Sequence, residues 1–383
     1  VRTLALLLLI SAVSVSSLVV ANADLISIDS IHTSDSANSS SVSSSNSSSN
    51  SNSNSNSSSN SSHSDSSTLD SSNSLNDALA SYYPQSTHPS SIEPASIELT
   101  GLAQPLNSSA SVFIQHPVAN KSAVICSIND YEQCLLQLPN EVAIQLPSYG
   151  LINRSLGLKT AVVLPIKDEY FAGMIIVNNS LPLMFQIVAI NGRTYQLELS
   201  QQAKLTLWHE VGHLENIAQQ GIGLPKTLSP YEHEWLADIY LAWRLAHQHK
   251  DLVLAWQQLH RRNMAIINNN DNISHWSSPQ LLWLLTHYQV EDMLEFQQYS
   301  DFIAKVYPQI PSIDAEEMME ISSLIKRTFN HSAVQPLPRY MFWRQARLIE
   351  ILRPTLTILM GEEVAEQWLT QQFSEAVTQI NAE

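Results

Sequence analysis

The stretch "INGRTYQLELSQQAKLTLWHEVGHLENIAQ", from Ile190 to Gln219, changes its period half-way along. Tyr195, Leu197 and Leu199 alternate with polar residues, the two-residue repeat of a strand with one buried face. Beyond Gln201 the spacing lengthens: Leu207, Val211, Leu214 and Ala218 recur three or four positions apart and form one stripe of a helix. Asn191-Gly192 suits the positive φ angles of a two-residue turn. "TYQLEL" therefore pairs with the preceding "LMFQIVAI" as a hairpin that runs straight into the helix.

Working outward, the two sides of this stretch differ. From about residue 96 to 200, short apolar and β-branched runs are broken by Pro, Asn and Gly: "SVFIQ", "SAVIC", "EVAIQL", "TAVVLPI" and "GMIIV" precede the hairpin, and all read as strands. From 201 to 383 almost everything reads as helix. Ser229 suits an N-cap, Pro230 the first turn, and Glu232 the reciprocal partner three residues after the cap. That helix runs on through Trp235, Ile239, Ala242 and Ala246. Further helices are expected from about Leu252, Pro279, Ala315, Arg339 and Gly361, with Pro354 ending the one before last. The fold class is α+β, a β-rich N-terminal part followed by a helical C-terminal part. Trp256, Trp283 and Trp343 fall at helical spacing with other apolar residues and read as core. His247, His249 and His260 lie among polar residues and read as surface, and "HRRN" (260–263) is too small a basic cluster to mark an anion site.

A chain of 383 residues with 44% hydrophobic content can bury a core without help from metal or disulfide. The net charge of -16 argues against DNA or RNA as partner, since nucleic-acid binding depends on cations that neutralise phosphates. Residues 1–23 have the form of a signal peptide: Arg2, an apolar run from Leu4 to Val20, then Ala21-Asn22-Ala23 as an A-x-A cleavage site. The alternative is an uncleaved anchor. Export to a bacterial periplasm or beyond, with no stable membrane anchor after cleavage, is the expectation. Residues 24–95, rich in Ser and Asn, bury too little apolar surface to offset the entropy of ordering and are expected to form a disordered spacer. Export makes a disulfide between Cys126 and Cys134 the favoured reading, with two buried thiols as the alternative.

"WHEVGHLEN" (208–216) carries the chemistry. Residues four apart lie on one face of a helix, so His209 and His213 can offer imidazole nitrogens to one metal ion, while Glu210 can reach a water activated by that metal and take its proton. Catalytic zinc commonly has three protein ligands and an open position. A metzincin would need Gly at position 216 and His at 219, but the chain has Asn216 and Gln219.

The alternative is a carboxylate on the next helix. Glu234, in "EWLAD", follows His213 by 21 residues (234 − 213), and Asp238 comes one turn later. HExxH followed by a helix carrying ExxxD resembles the gluzincin, or thermolysin-like, zinc metallopeptidases, over about 201–246. The resemblance implies a zincin-like fold, Zn2+ bound by His209, His213 and Glu234, Glu210 as general base, and Asp238 orienting a zinc-binding histidine. It implies hydrolysis of a peptide or protein substrate. For the oxyanion donor the candidates are His275, in "SHWSSPQLLWLL", and its competitors Tyr231, Tyr288 and Arg339. The hairpin could offer an edge strand to an extended peptide. Two other readings remain: a secreted binding protein that keeps a zincin fold without hydrolytic activity, and a structural zinc site.

Overall fold

The computed structural model describes residues 112–157, 159–178, 182–329 and 342–373. The expected leader, the Ser/Asn-rich tract, Arg339 and the side chain of Trp343 lie outside the described residues. Strands fill the N-terminal part and helices the C-terminal part, as the change of period predicts.

A four-stranded sheet is built from β1 (Ile114–Val118), β2 (Lys121–Ser127), β3 (Ala161–Pro165) and β4 (Phe171–Val177) in the order β1-β2-β4-β3. Only β2 and β4 run parallel; β1 and β3 pair antiparallel with their neighbours and form the two edges. Short helices α1 (Tyr131–Leu136), α2 (Asn140–Ala143) and α3 (Tyr149–Leu156) connect β2 to β3. Their Tyr131, Val142, Ile152 and Leu156 pack with Val124, Val162, Leu164, Met174 and Ile176, which share one face of the sheet by the period-two rule. Cys126 and Cys134 are joined as expected, tying β2 to α1 across a Cα separation of 6.5 Å.

Two expectations fail here. "EVAIQL" contains the helical turn α2 instead of a strand: Pro139 stands at its N-cap with φ fixed at -54°, Val142 is its buried residue, and Ile144 points to solvent. The first strand begins at Ile114, later than "SVFIQ" suggests, and runs to Val118 with Pro117 tolerated because β1 is an edge.

The hairpin is present as β5 (Phe185–Ile190) and β6 (Arg193–Glu198), with Asn191 at φ 49° and Gly192 at φ 74° in its turn. It forms a separate two-stranded sheet. It leads into α4 (Gln202–Gln219), followed by α5 (Pro230–His249), α6 (Val253–Asn268), a 3-10 segment (Asn270–His275), α7 (Ser278–His287), α8 (Val290–Leu294), α9 (Tyr299–Val306), α10 (Ala315–Phe329), α11 (Phe342–Met360) and α12 (Glu362–Gln372). Among the described residues no helix is long and apolar enough to cross a membrane.

The sheet lies over α4 on its second face, and α5 packs along the other side of α4. This explains why burial on α4 does not follow its apolar stripe: Val211 and Leu214 are buried as predicted and Leu207 and Ala218 only half-buried, while His209, Glu210 and His213 are buried as well. Two glycines set these distances. A Cβ on Gly212 would stand 2.9 Å from the Ala237 carbonyl oxygen, and one on Gly173 would stand 2.6 Å from Leu214 Cδ2. Hydrogen in place of a side chain lets α5 and β4 approach α4 this closely.

Pro354 does not end its helix; it lies inside α11. Asn263 Nδ2 on α6 donates to the Ile351 carbonyl at 3.0 Å and to Thr355 Oγ1 at 2.9 Å, which supports the backbone around the proline from outside the helix. His260 is also corrected: it is buried, 3.0 Å from Thr355 Oγ1 through Nδ1, because the polar-looking stretch around it faces α11.

Candidate metal centre

One turn of α4 separates His209 and His213, whose rings meet edge-on with centroids 4.7 Å apart. The third group comes from α5. Its start is held by a full capping box: the Ser229 backbone N–H donates to Glu232 Oε2 at 2.7 Å, and the Glu232 N–H donates to Ser229 Oγ at 3.2 Å. Two residues further on, Glu234 turns to the opposite side and faces α4. Its oxygens lie 3.5 Å from His209 Nε2 and 4.0 Å from His213 Nε2. His209, His213 and Glu234 each offer one ligand atom, all within 4.8 Å of one another; among the described residues no other group of His, Cys, Asp or Glu is placed to hold a metal ion.

Behind this cluster is a carboxylate crowded with donors. His209 Nδ1–H donates to Asp238 Oδ1 at 2.8 Å, which fixes the ring and leaves Nε2 directed at the centre. Asp238 also accepts from Gln258 Nε2 at 3.0 Å, from Arg262 Nε at 2.9 Å and from Ser277 Oγ. Burial opposes its ionisation, yet Arg262, His209 and these hydrogen bonds hold it well below the usual carboxylate range. "HRRN" thus contains a buried counter-charge, which the sequence reading dismissed. The available signal was the need for one: a buried aspartate without a cation is costly, and Gln258 and Arg262 stand four apart on one face of α6.

The donor set fits a zinc ion. Among the described residues, both nitrogens of His213, both oxygens of Glu234 and Oε1 of Glu210 are buried without a hydrogen-bond partner. A buried carboxylate and imidazole left in that state are expensive, and a divalent cation would satisfy one nitrogen of His213 and the carboxylate of Glu234 together. The electrostatics agree. Burial opposes the charge on Glu234, but His209 and His213 outweigh it and hold its pKa down at about 2. Burial, followed by the charge of His209, drives His213 down to about 3, so it presents a neutral ring. Burial would also lower His209, but Asp238 and Glu234 overcome it and raise it to about 9; a metal held here would take the place of that second proton. Burial above all, with Glu234 nearby, pushes Glu210 up to about 7.

Glu210 is buried beside the cluster on α4. His275, at the end of the 3-10 segment, points Nε2 at Glu234 Oε1 across 3.8 Å and keeps a fifth of its side-chain surface exposed. Of its competitors, Tyr231 donates its hydroxyl inward, with Gln280 Oε1 at 2.8 Å and the Trp276 carbonyl at 3.0 Å. The Tyr288 hydroxyl accepts from Gln309 Nε2 at 3.3 Å. No family model, no curated protein and no solved structure matches this chain.

Proposed function

We propose that the chain is a zinc-dependent, zincin-like metallopeptidase that hydrolyses peptide bonds in an oxidising compartment outside the cytoplasm. The observation that carries this reading is the convergence of His209, His213 and Glu234 on one point, with the buried Oε1 of Glu210 beside them, which among the described residues has no hydrogen-bond partner. The leader-like sequence and the Cys126–Cys134 bond support export.

His209, His213 and Glu234 would hold a zinc ion, which would supply Lewis acidity toward the scissile carbonyl and the attacking water. Glu210 takes the proton of the attacking water and returns it to the departing amine, so that the acyl carbon gains OH and the nitrogen gains H. His275, with Nε2 turned toward the cluster, donates to the oxygen that acquires negative charge. Asp238 and Arg262 keep His209 in one tautomer and one orientation. An extended substrate finds its strand partner at β3, an edge that packs against α4, more readily than at the hairpin, which forms its own sheet.

The test pairs metal analysis with a peptidase assay. About one zinc per chain is expected, and Glu210→Gln should keep the metal while losing hydrolysis by about 100-fold or more. Full activity in Glu210→Gln would remove the mechanism; zinc without hydrolysis in the wild type would favour the non-catalytic binding protein.

A further inference from the structure

The cations around the cluster are not equally employed. Arg262 is engaged by Asp238, and His275 faces Glu234. Lys159 is half-buried, and among the described residues its ammonium makes no hydrogen bond or ion pair. Burial lowers its pKa, while the carboxylates of Glu210 and Glu234 push it back up, so the charges that reach it are those of the site.

Its position is fixed by the backbone. The Lys159 N–H donates to the Leu156 carbonyl at 2.7 Å, Asn178 Nδ2 donates to the Lys159 carbonyl at 3.2 Å, and the Asn178 N–H donates to the Thr160 carbonyl at 2.8 Å. Lys159 therefore stands just ahead of β3, which among the described residues pairs with β4 alone. β1 runs along α4 in the helix direction, with His116 against Trp208 and the Ala119 N–H donating to Glu215 Oε1 at 3.3 Å, and β3 runs parallel to β1; since Leu214 lies against Gly173, the partner of Pro165 at the end of β3, the start of β3 lies toward Glu210, one turn earlier on α4. A peptide added antiparallel to a strand edge, the more stable sense of pairing, places its C-terminal end at the strand's N-terminal end. At β3 that is where Lys159 waits.

We infer that Lys159 receives the free C-terminal carboxylate of a peptide lying antiparallel along β3, so that the site releases short pieces from C-terminal ends. This inference rests on the peptidase reading above.

The test uses two peptides that differ only in a C-terminal acid or amide. Calorimetry on zinc-loaded Glu210→Gln protein, in which the peptide stays intact, should show the acid bound about 10- to 100-fold more tightly, the range of a charge-assisted contact. Adding Lys159→Met should abolish the difference with zinc content and Tm unchanged, and Lys159→Arg should restore it. In the active protein the preference should appear mainly in KM. Equal binding of acid and amide overturns the inference, as does a preference that survives Lys159→Met. So does an equal fall of kcat on both peptides in Lys159→Met, which would make Lys159 an oxyanion donor or a structural group. Hydrolysis of neither peptide, with Lys159-dependent selection of the acid retained, would instead remove the peptidase reading and leave the carboxylate site standing.

Discussion

Glu232 and Glu234 show how two identical side chains on one helix take different work. Glu232 closes the capping box and accepts from the Tyr307 hydroxyl at 2.8 Å, while among the described residues Glu234 has no hydrogen-bond partner for either oxygen. Glu234→Ala should therefore abolish zinc binding, whereas Glu232→Ala should keep the metal and cost about 1 kcal/mol of capping. A chelator-competition titration and urea unfolding read the two effects; retention of zinc by Glu234→Ala would refute the ligand assignment. Asp238→Ala should weaken zinc by about 10- to 100-fold through loss of the hydrogen bond that orients His209. Arg262→Met should act on stability first. It leaves the fully buried Asp238 carboxylate without its guanidinium, a loss of about 3 kcal/mol measurable in the urea midpoint.

Between elements, the crossing of α4 and α5 decides whether a site exists at all. The histidines belong to one helix and Glu234 to the other, and at Gly212 the two lie so close that a Cβ would stand 2.9 Å from the Ala237 carbonyl oxygen. Gly212→Ala puts a methyl against the Ala237 carbonyl and must spread the helices, at a cost of about 1–3 kcal/mol. The same displacement moves Glu234 away from His209 and His213, so zinc affinity should fall together with Tm. A variant with lowered Tm but unchanged affinity would show that the helices slide without separating at the metal. In α11 the local rule that proline stops a helix does not hold, and the adjacent Ile351 carbonyl accepts from Asn263 of α6, a contact that no reading of residues 339–360 alone could foresee.

Taken as one folding unit, the described residues should lose stability in mild acid partly through His260. Burial lowers its pKa from the ordinary 6.5 to about 3. The unfolded chain takes up the proton first, so the stability contributed by the neutral, buried ring is complete above pH 6.5 and declines as pH falls through that window toward 3. Between pH 6.5 and 5 this amounts to about 2 kcal/mol. Urea unfolding at pH 7.5 and 5.0 should show the wild type losing more than His260→Gln by that margin; parallel losses would mean that the ring titrates as if exposed. Other parts of the whole were already legible in the chain. The hairpin, the α4 stripe, the capping box of α5 and the HExxH pair depend on residues a few positions apart, and such spacings are set by backbone geometry wherever the helix or strand lies. The disulfide partners were legible for the simpler reason that there are two cysteines. What only tertiary structure decided is which unforeseen remote groups meet: that Arg262 answers Asp238, and that His260 is buried against Thr355. Those meetings follow from how closely helices and sheet pack, a distance set by glycines and core side chains along several segments at once and encoded in no single stretch of sequence.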